Sequence, residues 1–144
     1  GERIKSLQNP AKKMSKTGDE GIALSDDPDA IRGKIKKAVT DSGKEITFNH
    51  ETKPAISNLL TIYHLLSNKP IKDIEKMYEG KSYVDFKNDL AEVVANFLKP
   101  FQAKRKEFEE NPKMVLDILE KSEEEARSLA GKTLNEVKEK MGLE

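Results

Sequence analysis

Lys12–Thr17, which reads Lys-Lys-Met-Ser-Lys-Thr, is the one segment of this 144-residue chain whose residue types and spacing carry a chemical accent. Lys13 and Lys16 stand three positions apart around the small hydroxyl residue Ser15, with Gly18 and Gly21 just beyond as hinge points. A lysine ammonium is a compact charge on a flexible stem, so two of them can close on a polyphosphate without bidentate geometry. If they close only as charge develops on the phosphate, they favour the transition state over the ground state. Losing one such donor in a dry site costs about 3 kcal/mol of barrier. On residue types alone, the same string reads first as a solvated lysine-rich loop. It is not a Walker-type phosphate loop, because no glycine cradle precedes Lys13–Ser15 and no strand–helix pair flanks it.

The elements that would position this string are helical. Residues 1–27 are expected to be loop, with a short extended piece around Arg3–Leu7 and too few large apolar side chains for a core of their own. A helix is predicted from Pro28, with Asp27 as N-cap and Ile31, Ile35, Ala38 and Val39 on one stripe, ending at Asp41–Ser42–Gly43. A second runs from Pro54 to about Ser67 through Ile56, Leu59, Leu60, Tyr63 and Leu66. A shorter one opens at Pro70 and stops at Gly80 in the left-handed conformation. A long helix begins near Tyr83, with a kink expected around Asn96–Phe97 because of Pro100. The last runs from Pro112 toward Met141, with Val115, Leu116, Leu119, Ala126, Leu129, Leu134, Val137 and Met141 expected to face inward. Strand signals are almost absent, so the predicted fold class is all-α: a helical bundle over 28–144 behind a basic loop over 1–27.

Composition narrows the function classes. Lys+Arg and Asp+Glu are both 26, so no global field draws in nucleic acid or a membrane, and any polyanion site has to be a local patch. Hydrophobic residues make up 35% and charged residues 36%, the balance of long solvent-washed amphipathic helices. With no cysteine, disulfides, thiolate zinc sites and cysteine nucleophiles are excluded, and a reducing, cytoplasmic setting is expected. No apolar run approaches the ~20 residues that span a bilayer, so no membrane role is expected. The chain begins with Gly1 rather than Met, from which a portion of something longer is expected.

Lys13-Met14-Ser15-Lys16-Thr17 resembles the KMSKS signature of class I aminoacyl-tRNA synthetases, with Thr17 where the family has Ser and the hydroxyl kept. The flanks carry the resemblance across the whole chain. Arg3–Pro10, Ile35–Ser42, Lys53–Leu60 and Tyr78–Lys87 are similar, in order and spacing, to bacterial tryptophanyl-tRNA synthetases. Ala55 and Ser82 or Val84 depart from glycines common in that family.

The resemblance implies the end of a Rossmann-type catalytic domain, followed by the helical domain that faces the tRNA anticodon. Lys13 and Lys16 would be the catalytic residues and touch the ATP phosphates, Mg2+ would arrive with the ATP, and Met14, Ser15 and Thr17 would complete the nucleotide-binding loop. The implied reaction is ATP plus tryptophan plus tRNA giving tryptophanyl-tRNA, AMP and pyrophosphate. The implied parent is a cytoplasmic homodimer, with this portion able to stand as a monomer. An upstream His-x-Gly-His signature is absent from this sequence, and His50 and His64 are isolated, so the chain alone is expected to be inactive. The alternative is a non-enzymatic helical module that binds RNA or protein, with the string coincidental.

Other groups carry two readings each. Lys81, Tyr83 and Lys87 could offer a stacking ring and two phosphate contacts to an RNA loop, or Tyr83 could simply open its helix and pack on Phe86 or Tyr78. Lys99 and Arg105, with Lys104 and Lys106, could follow an RNA backbone, or form a solvated face balanced by Glu107, Glu109 and Glu110. Asp41 with Ser42 reads as a hinge contact between loop and bundle, or only as a helix-ending turn. Asp26, Asp27 and Asp29 read as cap and first-turn residues, and no metal site is expected.

Overall fold

The computed structural model describes residues 3–15 and 20–143. Lys16, Thr17 and Gly18 of the signature and its first hinge lie outside the described residues. Five helices follow in chain order, α1 (Pro28–Lys37), α2 (Pro54–Ser67), α3 (Ile71–Met77), α4 (Tyr83–Glu110) and α5 (Pro112–Met141). The described residues form no strand, only isolated bridges at Lys5–Lys13 and Asn49–Lys53, so the all-α prediction stands.

Each helix start has a local cause. Asp27 caps α1 by accepting from the Ala30 N–H at 2.7 Å, and Pro28 takes the first turn, where its missing donor leaves nothing unpaired. Ser82 and Asp85 cap α4 reciprocally: the Asp85 N–H donates to Ser82 Oγ at 3.2 Å, and the Ser82 N–H donates to Asp85 Oδ2 at 3.1 Å. The Ser82 hydroxyl and N–H hold the Asp85 carboxyl below its usual range. Gly80, at φ +75°, supplies the left-handed residue that lets the chain turn out of α3. Helix α1 ends at Lys37, short of the predicted stop, because the Ala38 N–H turns to Ile35 O and the Val39 N–H to Leu7 O at 2.8 Å.

The chain divides into two compact units, Gly1–Gln102 and Ala103–Glu144. The core of the first unit is built on α2, whose residues 55–63 are all buried, so it is wrapped on every side rather than lying on a surface. Tyr63, Tyr78 and Phe86 meet there with ring centroids 5.0–6.0 Å apart, and the Tyr78 hydroxyl donates to Asp89 at 2.8 Å. Residues 1–27 lend side chains to this helical core. Leu7 is 2% exposed, and Ile4, Met14 and Ile22 pack against the same cluster. Helix α4 continues through Pro100 without interruption.

The second unit holds the end of α4 and all of α5. The prediction that the apolar stripe of α5 faces inward is corrected: the helix has no buried residue, and Leu129 is 69% exposed. It is supported along its own surface by pairs such as Lys113–Asp117 and Glu123–Arg127 at i,i+4 spacing.

Candidate functional site

Residues 4–14 fold back on themselves to form the stem of the signature. The Ser6 N–H donates to Lys12 O at 2.9 Å and the Met14 N–H to Ile4 O at 3.1 Å, which places Lys5 opposite Lys13 in an antiparallel bridge. The bend between is closed by side chains. Ser6 Oγ accepts from the N–H groups of Gln8 and Asn9, both at 3.1 Å, and Asn9 Oδ1 accepts from the Ala11 N–H. On the far side of the signature the Leu7 N–H reaches Glu20 O at 2.9 Å. The two legs of the loop are thus tied to one short extended piece.

Gly21 is required where the legs meet. A Cβ at that position would lie 2.8 Å from Met14 Cγ and 3.1 Å from Ser15 O, so any larger residue would push the legs apart. Met14 is half-buried against the core and anchors its leg from within. Lys12 and Lys13 are exposed and make no ion pair among the described residues. The signature therefore has a fixed base and an exposed cation. Beside the stem, a cleft of about 530 Å³ is lined by Arg3, Lys5, His50 and Asn58 among others, with no carboxylate among the described lining residues. Its described charged groups, Arg3 and Lys5, favour an anion even though the chain carries no net charge.

The remaining candidates are dispersed. Lys81 lies over the Tyr78 ring at 5.0 Å. Tyr83 opens α4, packs half-buried against the core and donates its hydroxyl to Glu45 O at 3.1 Å; burial, then the charges of Asp41 and Glu45, push its hydroxyl pKa up. Lys87 donates to Ala38 O at 2.6 Å and to Lys36 O at 3.3 Å, closing the C-terminal end of α1, and burial holds its pKa below the usual lysine value. Lys99 donates to Asn96 Oδ1 at 2.7 Å several turns further along α4. Arg105 belongs to the second unit and pairs with Glu109 at 2.7 Å. Lys81, Tyr83 and Lys87 are thus neighbours in chain order whose side chains have different employments.

Asp26 accepts from Lys34 Nζ and the Ala23 N–H, both at 2.8 Å, and no group of three or more potential metal ligands occurs among the described residues. The two histidines have separate settings, His50 against the Phe48 ring and His64 with Nδ1 2.6 Å from Lys69 O.

Two residues that local sequence patterns do not reveal matter to the site. Asp41 lies in the segment between α1 and α2. Its carboxylate accepts from the N–H groups of Ala55 and Ile56, at 3.2 and 2.8 Å, and so caps α2 from outside the helix. Asn58, buried on α2, bonds the backbone of Lys5 in both directions, at 2.8 and 3.0 Å.

Comparison with known proteins gives consistent results. The family of class I tRNA synthetases (W and Y) matches residues 3–99. Tryptophan–tRNA ligases of Bacillus anthracis and Bacillus subtilis are each 47% identical over 99% of this chain, which covers 44% of their length. The crystal structure of tryptophanyl-tRNA synthetase from Mycoplasma pneumoniae superposes with a TM-score of 0.82 at 32% identity, over 99% of this chain and 44% of that one. The Campylobacter jejuni tryptophanyl-tRNA synthetase, solved complexed with ADP and tryptophane, gives 0.77 at 27% identity, again over 99% and 44% of the two chains. The chain thus spans less than half the length of these relatives.

Proposed function

This chain belongs to the class I tRNA synthetases (W and Y), and we propose that it supplies the C-terminal part of a cytoplasmic, homodimeric tryptophan–tRNA ligase. The observation that carries the choice of tryptophan is the 47% identity to tryptophan–tRNA ligases over 99% of the chain. The parent enzyme joins tryptophan to tRNA at the expense of ATP, releasing AMP and pyrophosphate. Lys13 and Lys16 meet the ATP phosphates, which bring Mg2+ with them, while Met14, Ser15 and Thr17 complete the loop. Support for this assignment comes from the stem, which presents an exposed Lys13 ammonium on a base tied to the core, beside a cleft lined by Arg3 and Lys5. Positive groups held in place before the reaction need no reorganisation as charge builds on the phosphates.

The first unit's bundle carries the tRNA-facing surface. Lys81 and Lys99 are the exposed cations we assign to the RNA backbone there, since Tyr83 and Lys87 are engaged in packing and in closing α1. Contacts of this kind give sequence-independent, salt-sensitive affinity.

The test is tryptophan-dependent pyrophosphate exchange. In the complete enzyme, Lys16→Ala should lower the rate on the order of 10²–10³-fold, the worth of one preorganised charge donor, with helical content unchanged by circular dichroism. An unchanged rate overturns the loop assignment. The 144-residue chain alone should show no exchange, since its sequence contains no His-x-Gly-His signature; measurable exchange by the pure chain would contradict that reading.

A further inference from the structure

The stem alternates along its length. The backbone groups of Ile4 and Ser6 point across to Met14 and Lys12, so those of Lys5 and Leu7 point the other way. Leu7 finds its partners in Glu20 O and the Val39 N–H. Lys5 finds its partner in one side chain. Asn58 Oδ1 accepts from the Lys5 N–H at 2.8 Å, and Asn58 Nδ2 donates to Lys5 O at 3.0 Å. A primary amide offers an acceptor and a donor side by side, as the edge of a neighbouring strand does. Asn58 is 5% exposed, lies 53 residues away in sequence, and sits on the most deeply buried helix of the unit.

We propose that Asn58 is a positioning residue for the signature loop: its amide stands in for a missing strand, holds Lys5 in a single register and thereby fixes where the bridged Lys13 presents its ammonium. Two facts make such a grip necessary. The stem is an isolated bridge with no sheet behind it, and its bridge partners are both lysines, whose like charges oppose pairing when placed directly opposite. In so short a pair a slip of one residue would carry every side chain to the other face. Lys13 would then point away from the ligand while the helices around it stayed folded. Gln, one methylene longer, would push the stem off the helix. Asp would keep the acceptor for the Lys5 N–H and lose the donor to Lys5 O.

This inference rests on the reading of Lys13 as a phosphate contact, and a double-mutant cycle in the complete enzyme separates the two. Pyrophosphate exchange is measured for Asn58→Ala, Lys13→Ala and the double variant, with kcat and the KM for tryptophan resolved. Asn58→Ala should lower kcat on the order of a hundredfold, the penalty of an ångström-scale misplacement, and leave the KM for tryptophan within about twofold. In the Lys13→Ala background the same change should cost less than about threefold, because the group it positions is gone. Full additivity, or a fall in melting temperature with kcat intact, overturns the positioning role while leaving the loop reading standing. If Lys13→Ala is itself without effect, the loop reading fails. Should Asn58→Ala not fold, the cycle is run with Asn58→Asp, where non-additivity with Lys13→Ala again supports the proposal and additivity overturns it.

Discussion

Leu7 lies in a segment with no helix and is 2% exposed, whereas Leu129 lies midway along a 30-residue helix and is 69% exposed. Residues 3–15 and α5 differ in how their backbones are satisfied, and burial follows from that. Helix α5 closes its hydrogen bonds internally and adds i,i+4 ion pairs, so its polar groups ask nothing of a neighbour. The extended stem cannot do this. It borrows partners from Asn58, Glu20 and Val39, and the two bonds made by Leu7 accompany the burial of its side chain in the core. Regular secondary structure and membership of the core are therefore separate properties in this molecule, and the functional candidate sits on the irregular side.

The sharpest way to break that contrast is truncation of one leucine in each region. Leu7→Ala should destabilise the first unit by about 2–5 kcal/mol, through lost burial and the cavity left behind. Leu129→Ala should move stability by no more than about 0.5 kcal/mol. Denaturant unfolding of the 144-residue chain followed by near- and far-ultraviolet dichroism measures both; equal effects would mean that α5 is covered in solution.

A smaller effect is expected at Lys87, whose ammonium closes α1 from the side of α4. Lys87→Met should cost about 1 kcal/mol through two lost backbone contacts. The pH dependence has a definite sign. Burial lowers this lysine's pKa in the folded chain, so the unfolded chain binds the proton more tightly. Wild-type stability should gain from this group as pH climbs from the folded value toward 10.5, and Lys87→Met should lack that gain in melts over the alkaline range below 10.5.

The smallest effect belongs to the surface pair of Arg32 and Glu92, 2.7 Å apart. Arg32 holds the Glu92 carboxyl below its usual 4.5, so the pair's contribution is complete above that pH and fades as pH falls through the folded value. Both side chains are about half exposed, and Glu92→Gln should therefore shift the acid unfolding midpoint only slightly, with the difference vanishing in 1 M salt.

Much of the scaffold was legible in local chemistry. Pro28, Pro54 and Pro112 mark helix starts, Asp27 caps, and Gly80 breaks, each through a mechanism confined to a few neighbouring residues. The signature string was equally plain, since its residue types are contiguous. What could not be read depends on distance. Nothing around Asn58 distinguishes it from any polar residue on a helix, because its partner is 53 positions away. Lys87 reads as a free cation until α1 is placed beneath it. For α5 the periodicity announces an apolar stripe correctly, but periodicity reports only that a stripe exists and not what lies against it.

The remote cap on α2 bears on the order in which the molecule assembles. Asp41 stands fourteen residues before the Ala55 amide it receives, so the first turn of α2 can be completed only after that intervening stretch has closed, at an entropic cost set by its length. Asn58 is one turn further into the same helix and cannot grip Lys5 until α2 is seated. The stem of the signature is thereby tied to a helix whose own start depends on a residue far back in the chain.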